Sequence, residues 1–293
     1  MNTLIPAWKK LILTGLSEDA IAFDWTARAA KLAKKDAPND IATASLIAKS
    51  DGIWAGEMGL RALELVSAEM GMPLHVTSFV KDGDALAPKK KICEWRGDAS
   101  SILVFERTLI NLTGYASGIA TQTHELVSLS RSKGLKHPPR ITGTRKTLPG
   151  YKDLSIQSTL IGGGYPHRYN LSGGLLVKEN HIAAAGGIAA AIANARTTAP
   201  HLLKIEIEVR NLAELKEAIA GSAEVILLDN FTPDQIREAV KLKPANVVYE
   251  VSGGIRRENL ESYLIEGLDV ISVGSLTHSV KSVDLSLLFS GIA

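Results

Sequence analysis

Six short apolar runs alternate with helical patterns in the second half of the chain, and this alternation constrains the fold more than any other feature. The runs are rich in Val, Ile and Leu and have the length of buried strands rather than helices. They are ITGT (141–144), LLVKEN (175–180), KIEIEV (204–209), EVILLDN (224–230), NVVYEVSGG (246–254) and DVISVGS (269–275). Strands that alternate with helices pair in parallel, so the sequence predicts an α/β barrel-like domain here.

Helix-start signals lie between these runs. Thr232, Pro233 and Gln235 supply an N-cap, a first-turn proline and a capping-box partner. Asn211 with Glu214 resembles a second such start. Both signals follow a predicted strand, as a βαβ unit requires.

The first part of the chain has a different pattern. Its opening residues, MNTLIPAWKKLILTGL, have the apolar spacing of an amphipathic helix, and we predict further helices over 41–49 and 56–70. Shorter segments, HVTSFV and KICEWR, flank the turn-rich KDGDALAPKK. We therefore expect a small α+β domain over residues 1–115, joined by the tail 281–293, and a barrel domain over 116–280.

Composition and charge exclude several classes of function. The net charge is +2, from 33 basic and 31 acidic residues, so no broad basic field predicts a nucleic-acid or membrane partner. The single cysteine, Cys93, forms no intrachain disulfide and is expected to be a buried thiol in a reducing cytoplasm. The amino terminus lacks the pattern of a signal peptide, and the longest uncharged run is too short to span a bilayer.

Polar residues stand at the carboxyl ends of all six predicted strands. In α/β barrels this end carries the active site, so six polar ends predict one shared site. The residues are Arg145, Lys146, Lys178, Asn180, Glu208, Asp229, Asn230, Ser252, Gly274 and Ser275.

The cations among these residues predict an anionic ligand. His167 and Arg168, in GGGYPHR, add to Arg145, Lys146 and Lys178. Arginine holds a carboxylate or phosphate at two points, whereas lysine supplies a mobile point charge. Five such groups in one cavity would repel each other unless the ligand carried several negative charges.

Two further features predict a phosphorylated ligand. Glu208 and Asp229 end successive strands, where paired carboxylates hold Mg²⁺ on a pyrophosphate. The segments VSGGIRREN and SVGSLTHS follow the last two strands, a usual place for a phosphate site in barrels. We expect His181 and His278 to be structural.

Taken together, these segments resemble the quinolinate phosphoribosyltransferase family, the decarboxylating enzymes of de novo NAD synthesis. The matching stretches run in order from about Phe105 to Ser279, with a weaker match at DGIWAG. They are FERTLINLTGYASGIAT, TRKTLPG, GGGYPHR, LLVKENHI, IEIEV, ILLDNF, SGGI and ISVGSLTHS.

The resemblance implies an N-terminal α/β sandwich domain, an incomplete parallel α/β barrel and a homodimer with shared active sites. It implies that Arg107 reaches the neighbouring subunit's site, and that quinolinate is bound by Thr144, Arg145, Lys146, His167, Arg168 and Lys178. Glu208 and Asp229 would lie by the ribose and the Mg²⁺-pyrophosphate of phosphoribosyl pyrophosphate, with Mg²⁺ held directly or through water. The implied catalytic residues are Lys146, Lys178, Glu208 and Asp229, and the implied 5′-phosphate site is Ser252, Gly253, Gly254, Val273, Gly274 and Ser275.

Some positions depart from the family's pattern. Gly143 replaces a usual Asp, Pro166 a usual Asn and Lys152 a usual Arg, and an N-terminal motif appears only as FDWTA before the charged run KLAKKDAPND. Two alternatives therefore stay open. One is a paralogous phosphoribosyltransferase with another anionic substrate, as found in molybdate-transport operons, and the other is a non-catalytic phosphate-ligand binding protein.

Overall fold

The computed structural model describes residues 4–21, 25–26 and 41–292. Most of FDWTA (23–27), and the charged run up to residue 40, therefore lie outside the described residues. The chain divides into two compact units. The first comprises Met1–Gln122, Leu148–Gly162 and Val280–Ala293, and the second comprises Thr123–Thr147 and Gly163–Ser279. The domain bounds expected from the sequence stay a prediction.

Twelve strands and ten helices are labelled here in chain order within the described residues. The strands are β1 Ile41–Ala48, β2 Gly52–Ile53, β3 Leu74–Ser78, β4 Ala85–Leu86, β5 Lys91–Asp98, β6 Arg140–Thr142, β7 Leu175–Val177, β8 Ile205–Val209, β9 Val225–Asp229, β10 Val248–Ser252, β11 Val270–Ser272 and β12 Leu285–Ile292. The helices are α1 Ile5–Glu18, α2 Glu57–Glu69, α3 Ala99–Ser132, α4 Lys152–Ile161, α5 Glu179–Ala185, α6 Ile188–Thr198, α7 Leu212–Ala220, α8 Pro233–Lys241, α9 Leu260–Tyr263 and α10 Ser275–His278.

The first unit is built on a four-stranded antiparallel sheet in the order β12-β1-β5-β3. The predicted helix α1 is confirmed, and it buries Trp8, Leu11, Ile12 and Leu16 on one face. The helix predicted over 56–70 is also confirmed, as α2. Cys93 is fully buried in β5, as expected, and burial raises the pKa of its thiol to about 12.

The prediction of a helix over 41–49 is wrong, because this segment is the central strand β1. Its buried residues, Ala42, Ala44, Leu46 and Ala48, alternate with more exposed ones. That period of two belongs to a strand with one face on the core. The alanines gave the segment a helical composition, but pairing with β5 and β12 on both sides determines its structure.

The second unit is built on six parallel strands, in the order β6-β11-β10-β9-β8-β7. All six predicted strands are confirmed, with ends one to three residues shorter for most of them. The first strand, β6, pairs with the last, β11, while β7 stands at the other edge. The sheet therefore follows the strand order of a barrel but stays open between β6 and β7, which confirms the expected incomplete parallel α/β barrel.

The predicted helix starts in this unit are confirmed. The Thr232 hydroxyl accepts from the N–H of Gln235, whose side chain accepts in return from the N–H of Thr232. The Asn211 side chain accepts from the N–H groups of Ala213 and Glu214. Asn180, predicted at a strand end, instead lies in the first turn of α5.

No helix among the described residues has both the length and the apolar character needed to cross a membrane.

Candidate active site

A cavity of about 750 Å³ opens at the carboxyl ends of the parallel strands of the second unit. It brings together most of the residues that the sequence analysis selected. Those residues are Thr144, Arg145, Lys146, His167, Arg168, Lys178, Glu208, Asp229, Ser252, Gly253, Gly254, Gly274 and Ser275. A single cavity therefore holds the predicted cations, the predicted carboxylates and both glycine-containing loops.

Strand register explains how the floor of this cavity is built. Asp229 is paired with Ser252, Ser252 with Ser272, and Ser272 with Thr142, so one row crosses four strands at their carboxyl ends. The row two residues deeper contains Glu250. Residues two apart on a strand point to the same face, so both rows supply side chains to the cavity.

Four cations come from three segments. Arg145 and Lys146 follow β6, and Lys178 follows β7. Arg168 is placed by the segment before it, because Tyr165 forms a parallel bridge with Thr142 at the end of β6. Burial, and after it the charge of nearby Arg145, lowers the pKa of the Arg168 guanidinium.

Lys178 and Glu208 form an ion pair at the cavity wall. The Lys178 Nζ atom lies 3.3 Å from Oε2 of Glu208, and the Lys178 side chain is 51% exposed, whereas that of Glu208 is 12% exposed. The backbone N–H of Lys178 donates to Nδ1 of His181 over 3.0 Å. His181 therefore contacts the main chain at the start of α5, and its structural role stays a prediction.

A second charged cluster lies deeper, around His167. Its Nε2 atom is 3.4 Å from Oε1 of Glu250 and 3.6 Å from Oε2 of Glu206. Both carboxylates are nearly buried, with side chains 7% and 10% exposed. The Ser272 hydroxyl donates a short hydrogen bond to Oε1 of Glu250, and the backbone N–H of Arg168 donates to Nδ1 of His167 over 2.7 Å.

The neighbours of His167 act on both of its ring nitrogens. Burial lowers the pKa of the imidazole, but Glu206 and Glu250 together raise it, to about 10. Nδ1 faces the backbone N–H of Arg168 and Nε2 faces the two carboxylates, so these contacts fit a ring whose proton lies on Nε2. Burial also raises the pKa of the Glu206 carboxyl.

The loop after β10 approaches the loop after β9 closely. A Cβ on Gly253 would lie 2.1 Å from the Asn230 side-chain oxygen, and Gly253 has φ +107°, so only glycine fits here. Asn230 is itself left-handed, with φ +56°, and its amide donates to Asp229 over 2.7 Å. The N–H groups of Gly253 and Gly254 have no hydrogen-bond partner within the described part of the chain.

Two predicted site residues do not line this cavity. Arg107 is an exposed residue of α3 in the first unit. Val273 is buried, and its N–H already donates to the carbonyl of Thr142 over 2.9 Å. His278, expected to be structural, does line the cavity.

Sequence reasoning missed three polar residues of the cavity, Glu250, Ser272 and Arg256. Glu250 had a usable signal, since it interrupts the apolar run NVVYEVS in the middle of a buried strand. Ser272 and Arg256 had no comparable signal.

The donor set at Glu208 and Asp229 fits Mg²⁺ rather than a transition metal. Both carboxylates line the cavity, and no histidine or cysteine completes a cluster with them among the described residues. Mg²⁺ is bound through one or two carboxylates, with waters and substrate phosphates supplying its other ligands.

Comparison with known proteins identifies the family. The family model for the C-terminal domain of quinolinate phosphoribosyl transferase matches residues 119–288, and the model for the N-terminal domain matches residues 21–117. The chain belongs to this family.

Individual relatives agree with this membership. A probable nicotinate-nucleotide pyrophosphorylase [carboxylating] of Bacillus subtilis is 42% identical over 83% of this chain and 82% of its own length. The nicotinate-nucleotide pyrophosphorylase [carboxylating] of Homo sapiens is 36% identical over 83% of this chain and 81% of its own length. The structure of the nicotinate-nucleotide pyrophosphorylase from Francisella tularensis superposes with a TM-score of 0.86 at 32% identity, covering 98% of this chain and 97% of the other.

Proposed function

We propose that this chain is a quinolinate phosphoribosyltransferase. It transfers the 5-phosphoribosyl group of phosphoribosyl pyrophosphate to the nitrogen of quinolinate, and releases nicotinate mononucleotide, pyrophosphate and CO₂. The names of these relatives describe the same reaction, with "carboxylating" referring to its reverse direction. The observation that carries the proposal is that four cations, two carboxylates and two glycine loops meet in one cavity.

The cations suit a planar aromatic dicarboxylate. Arg145 and Arg168 each present a fork that binds a carboxylate at two points, and Lys146 and Lys178 add point charges. Together with Thr144 and His167 they form the proposed quinolinate site. The four cations repel each other when no ligand is bound. A ligand with two adjacent carboxylates neutralises their charge and so removes this repulsion.

The opposite side of the cavity suits a sugar phosphate. The free N–H groups of Gly253 and Gly254 offer donors to the 5′-phosphate, helped by Ser252, Gly274 and Ser275. In this proposal Val273 does not bind the phosphate, because its side chain is buried and its N–H already donates to Thr142. Mg²⁺ held by Glu208 and Asp229 would neutralise charge on the pyrophosphate.

The chemistry then follows from charge and position. The bond between C1 of the ribose and pyrophosphate breaks, and Glu208 or Asp229 stabilises the positive charge that develops at C1. The pyridine nitrogen donates its electron pair to C1, and the ring becomes a pyridinium. The C2 carboxylate leaves as CO₂, its bonding electrons stay at C2 beside the positive nitrogen, and C2 then takes a proton from water.

Lys146 and Lys178 hold the ring so that its nitrogen faces C1. This positioning is the main contribution of the protein, since no residue has to transfer a proton before the nitrogen attacks.

A direct assay tests the proposal. Purified full-length chain is mixed with quinolinate labelled at the C2 carboxylate, phosphoribosyl pyrophosphate and Mg²⁺, and labelled CO₂ is counted. We expect CO₂ and pyrophosphate in equal amounts. Release of pyrophosphate only with a different anionic acceptor would favour the paralogous transferase. Ligand binding by folded protein without any product would favour the non-catalytic binding protein.

We also propose a homodimer in which Arg107 completes the partner subunit's cavity. Its exposed position on α3, in the unit that does not carry the cavity, supports this. Arg107→Ala and Lys178→Ala should each be inactive, and a mixture of the two should regain up to a quarter of wild-type activity after subunit exchange, because mixed dimers contain one intact site. No recovery despite proven exchange would contradict shared sites. The buried, unpaired thiol of Cys93 supports a cytoplasmic location for this enzyme.

A further inference from the structure

The cluster around His167 forms a chain of contacts that ends at a substrate-facing cation. Ser272 donates to Glu250, Nε2 of His167 faces Glu250 and Glu206, and Nδ1 of His167 accepts the backbone N–H of Arg168. Both ring nitrogens are therefore engaged inside the protein.

A metal site is the other reading of these three groups, because their ligand atoms lie within 4.8 Å of one another. The contact at Nδ1 argues against it. A metal on Nε2 would need the lone pair of that nitrogen, and the ring proton would then sit on Nδ1. That proton would face the Arg168 N–H at 2.7 Å. The geometry favours Nε2–H directed at two carboxylates.

Arg168 is the group on which this chain of contacts acts. One guanidinium nitrogen, Nη1, donates to the carbonyl of Gly174 over 2.9 Å. Its Nε atom is buried and has no hydrogen-bond partner. Burying a donor without a partner costs free energy, so other contacts have to hold the guanidinium in this orientation. The guanidinium lies beside the cavity in which we propose that an anion binds.

We propose that Glu250, supported by Ser272 and Glu206, is a positioning residue that fixes the His167 ring and, through its Nδ1 atom, the main chain and guanidinium of Arg168. This inference deepens the proposed function, on which it rests, and assigns Glu250 to recognition of the quinolinate carboxylates. It also assigns the main role of His167 to holding Arg168. Glu250 lies in the wall of the cavity, and its role in this proposal is to hold His167 rather than to bind the substrate.

The first test measures proton position and needs no activity. The full-length chain is labelled with ¹⁵N in its histidine rings, and His167→Asn identifies the resonances of His167. At neutral pH we expect a protonated Nε2 and an unprotonated Nδ1. Protons on both nitrogens would overturn the proposal, as would one equivalent of bound divalent metal that Glu250→Leu removes.

The second test separates positioning from general structural support. Glu250→Gln keeps an oxygen that accepts from both Ser272 and His167, so we expect KM for quinolinate within about threefold of wild type. Glu250→Leu removes the acceptor and should raise that KM about tenfold or more, while kcat changes less than threefold, because a binding cation is misplaced in ground state and transition state alike. If Glu250→Gln and Glu250→Leu raised KM for quinolinate equally, the proposal would be overturned.

A double-mutant cycle identifies Arg168 as the residue through which Glu250 acts. In an Arg168→Met background, Glu250→Leu should raise KM no further, and additive effects would overturn the proposal. If Glu250→Leu does not fold, Ser272→Ala takes its place in the cycle. Glu224→Gln is the matched control, since Glu224 stands before β9 at the opposite end of the sheet and pairs with Arg196 there.

If wild type makes no CO₂ from quinolinate, the proposed function fails, whereas the NMR result still decides the role of His167.

Discussion

Replacing Lys178 with methionine should reduce substrate binding strongly and stability only slightly. Methionine keeps most of the side-chain length and removes the charge. At 3.3 Å from Glu208, a unit pair is worth about 5 kcal/mol at an effective dielectric constant of 20 and about 1 kcal/mol in water. Because the Lys178 side chain is 51% exposed, solvent screening favours the lower figure. We expect a loss of about 1 kcal/mol or less in the free energy of unfolding.

The effect on binding should be larger. A charge-assisted hydrogen bond to a carboxylate contributes about 1.5–3 kcal/mol, so the Kd for quinolinate should rise about 10- to 150-fold. Isothermal titration calorimetry measures this Kd, and thermal unfolding measures stability in the same preparation. The CO₂ assay should show a loss of turnover at least as large, because Lys178 also orients the ring for attack at C1.

Lys243→Met is the matched control. Lys243 belongs to the same unit, and its Nζ atom lies 2.5 Å from Asp269 and donates to the carbonyl of Gly267. Its side chain is only 17% exposed. Losing it should therefore cost more stability than losing Lys178, with no change in quinolinate Kd. If Lys178→Met instead lowered the melting temperature as much as Lys243→Met and left the Kd unchanged, the assignment of Lys178 to the ligand would be refuted.

Three further predictions concern other sites. Gly253→Ala should weaken phosphoribosyl pyrophosphate binding at least tenfold, because its Cβ would collide with Asn230 in a backbone conformation that alanine avoids; an unchanged binding isotherm would show that the loop adapts. Thr232→Ala removes the N-cap of α8 and should cost about 1 kcal/mol in denaturant unfolding with normal kcat/KM, and lost activity would be unexpected. The raised pKa of Cys93 predicts a thiol that resists alkylation at pH 8 until the protein unfolds, and a contribution to stability that falls as pH rises from about 9 to about 12; rapid alkylation of native protein would contradict its burial.

The fold of the second unit was predictable because several local signals agree. Strands buried on both faces need continuous apolar runs, and the chain supplies six of them with capped helices at Asn211 and Thr232 between them. The polar residues at the strand ends were informative for the same reason, since a parallel sheet brings all carboxyl ends to one edge. Most of the candidate cavity follows from that rule.

The errors have physical causes too. The segment over 41–49 is rich in alanine, which is a strong helix former and is depleted in strands, so its composition favoured a helix. Its partners β5 and β12 lie far away along the chain, and β12 is the last strand. No local pattern reveals a pairing between residues more than two hundred positions apart.

The sequence by itself determined the class of fold, the edge at which the site forms and most of the charges that the site contains. These properties depend on periodicity and on residue type, which are local. Only the tertiary structure decided that Glu250, Glu206 and Ser272 surround His167, and that Nδ1 of this histidine is engaged by Arg168. These groups come from three strands and a loop, so their distances depend on strand register and burial rather than on spacing along the chain.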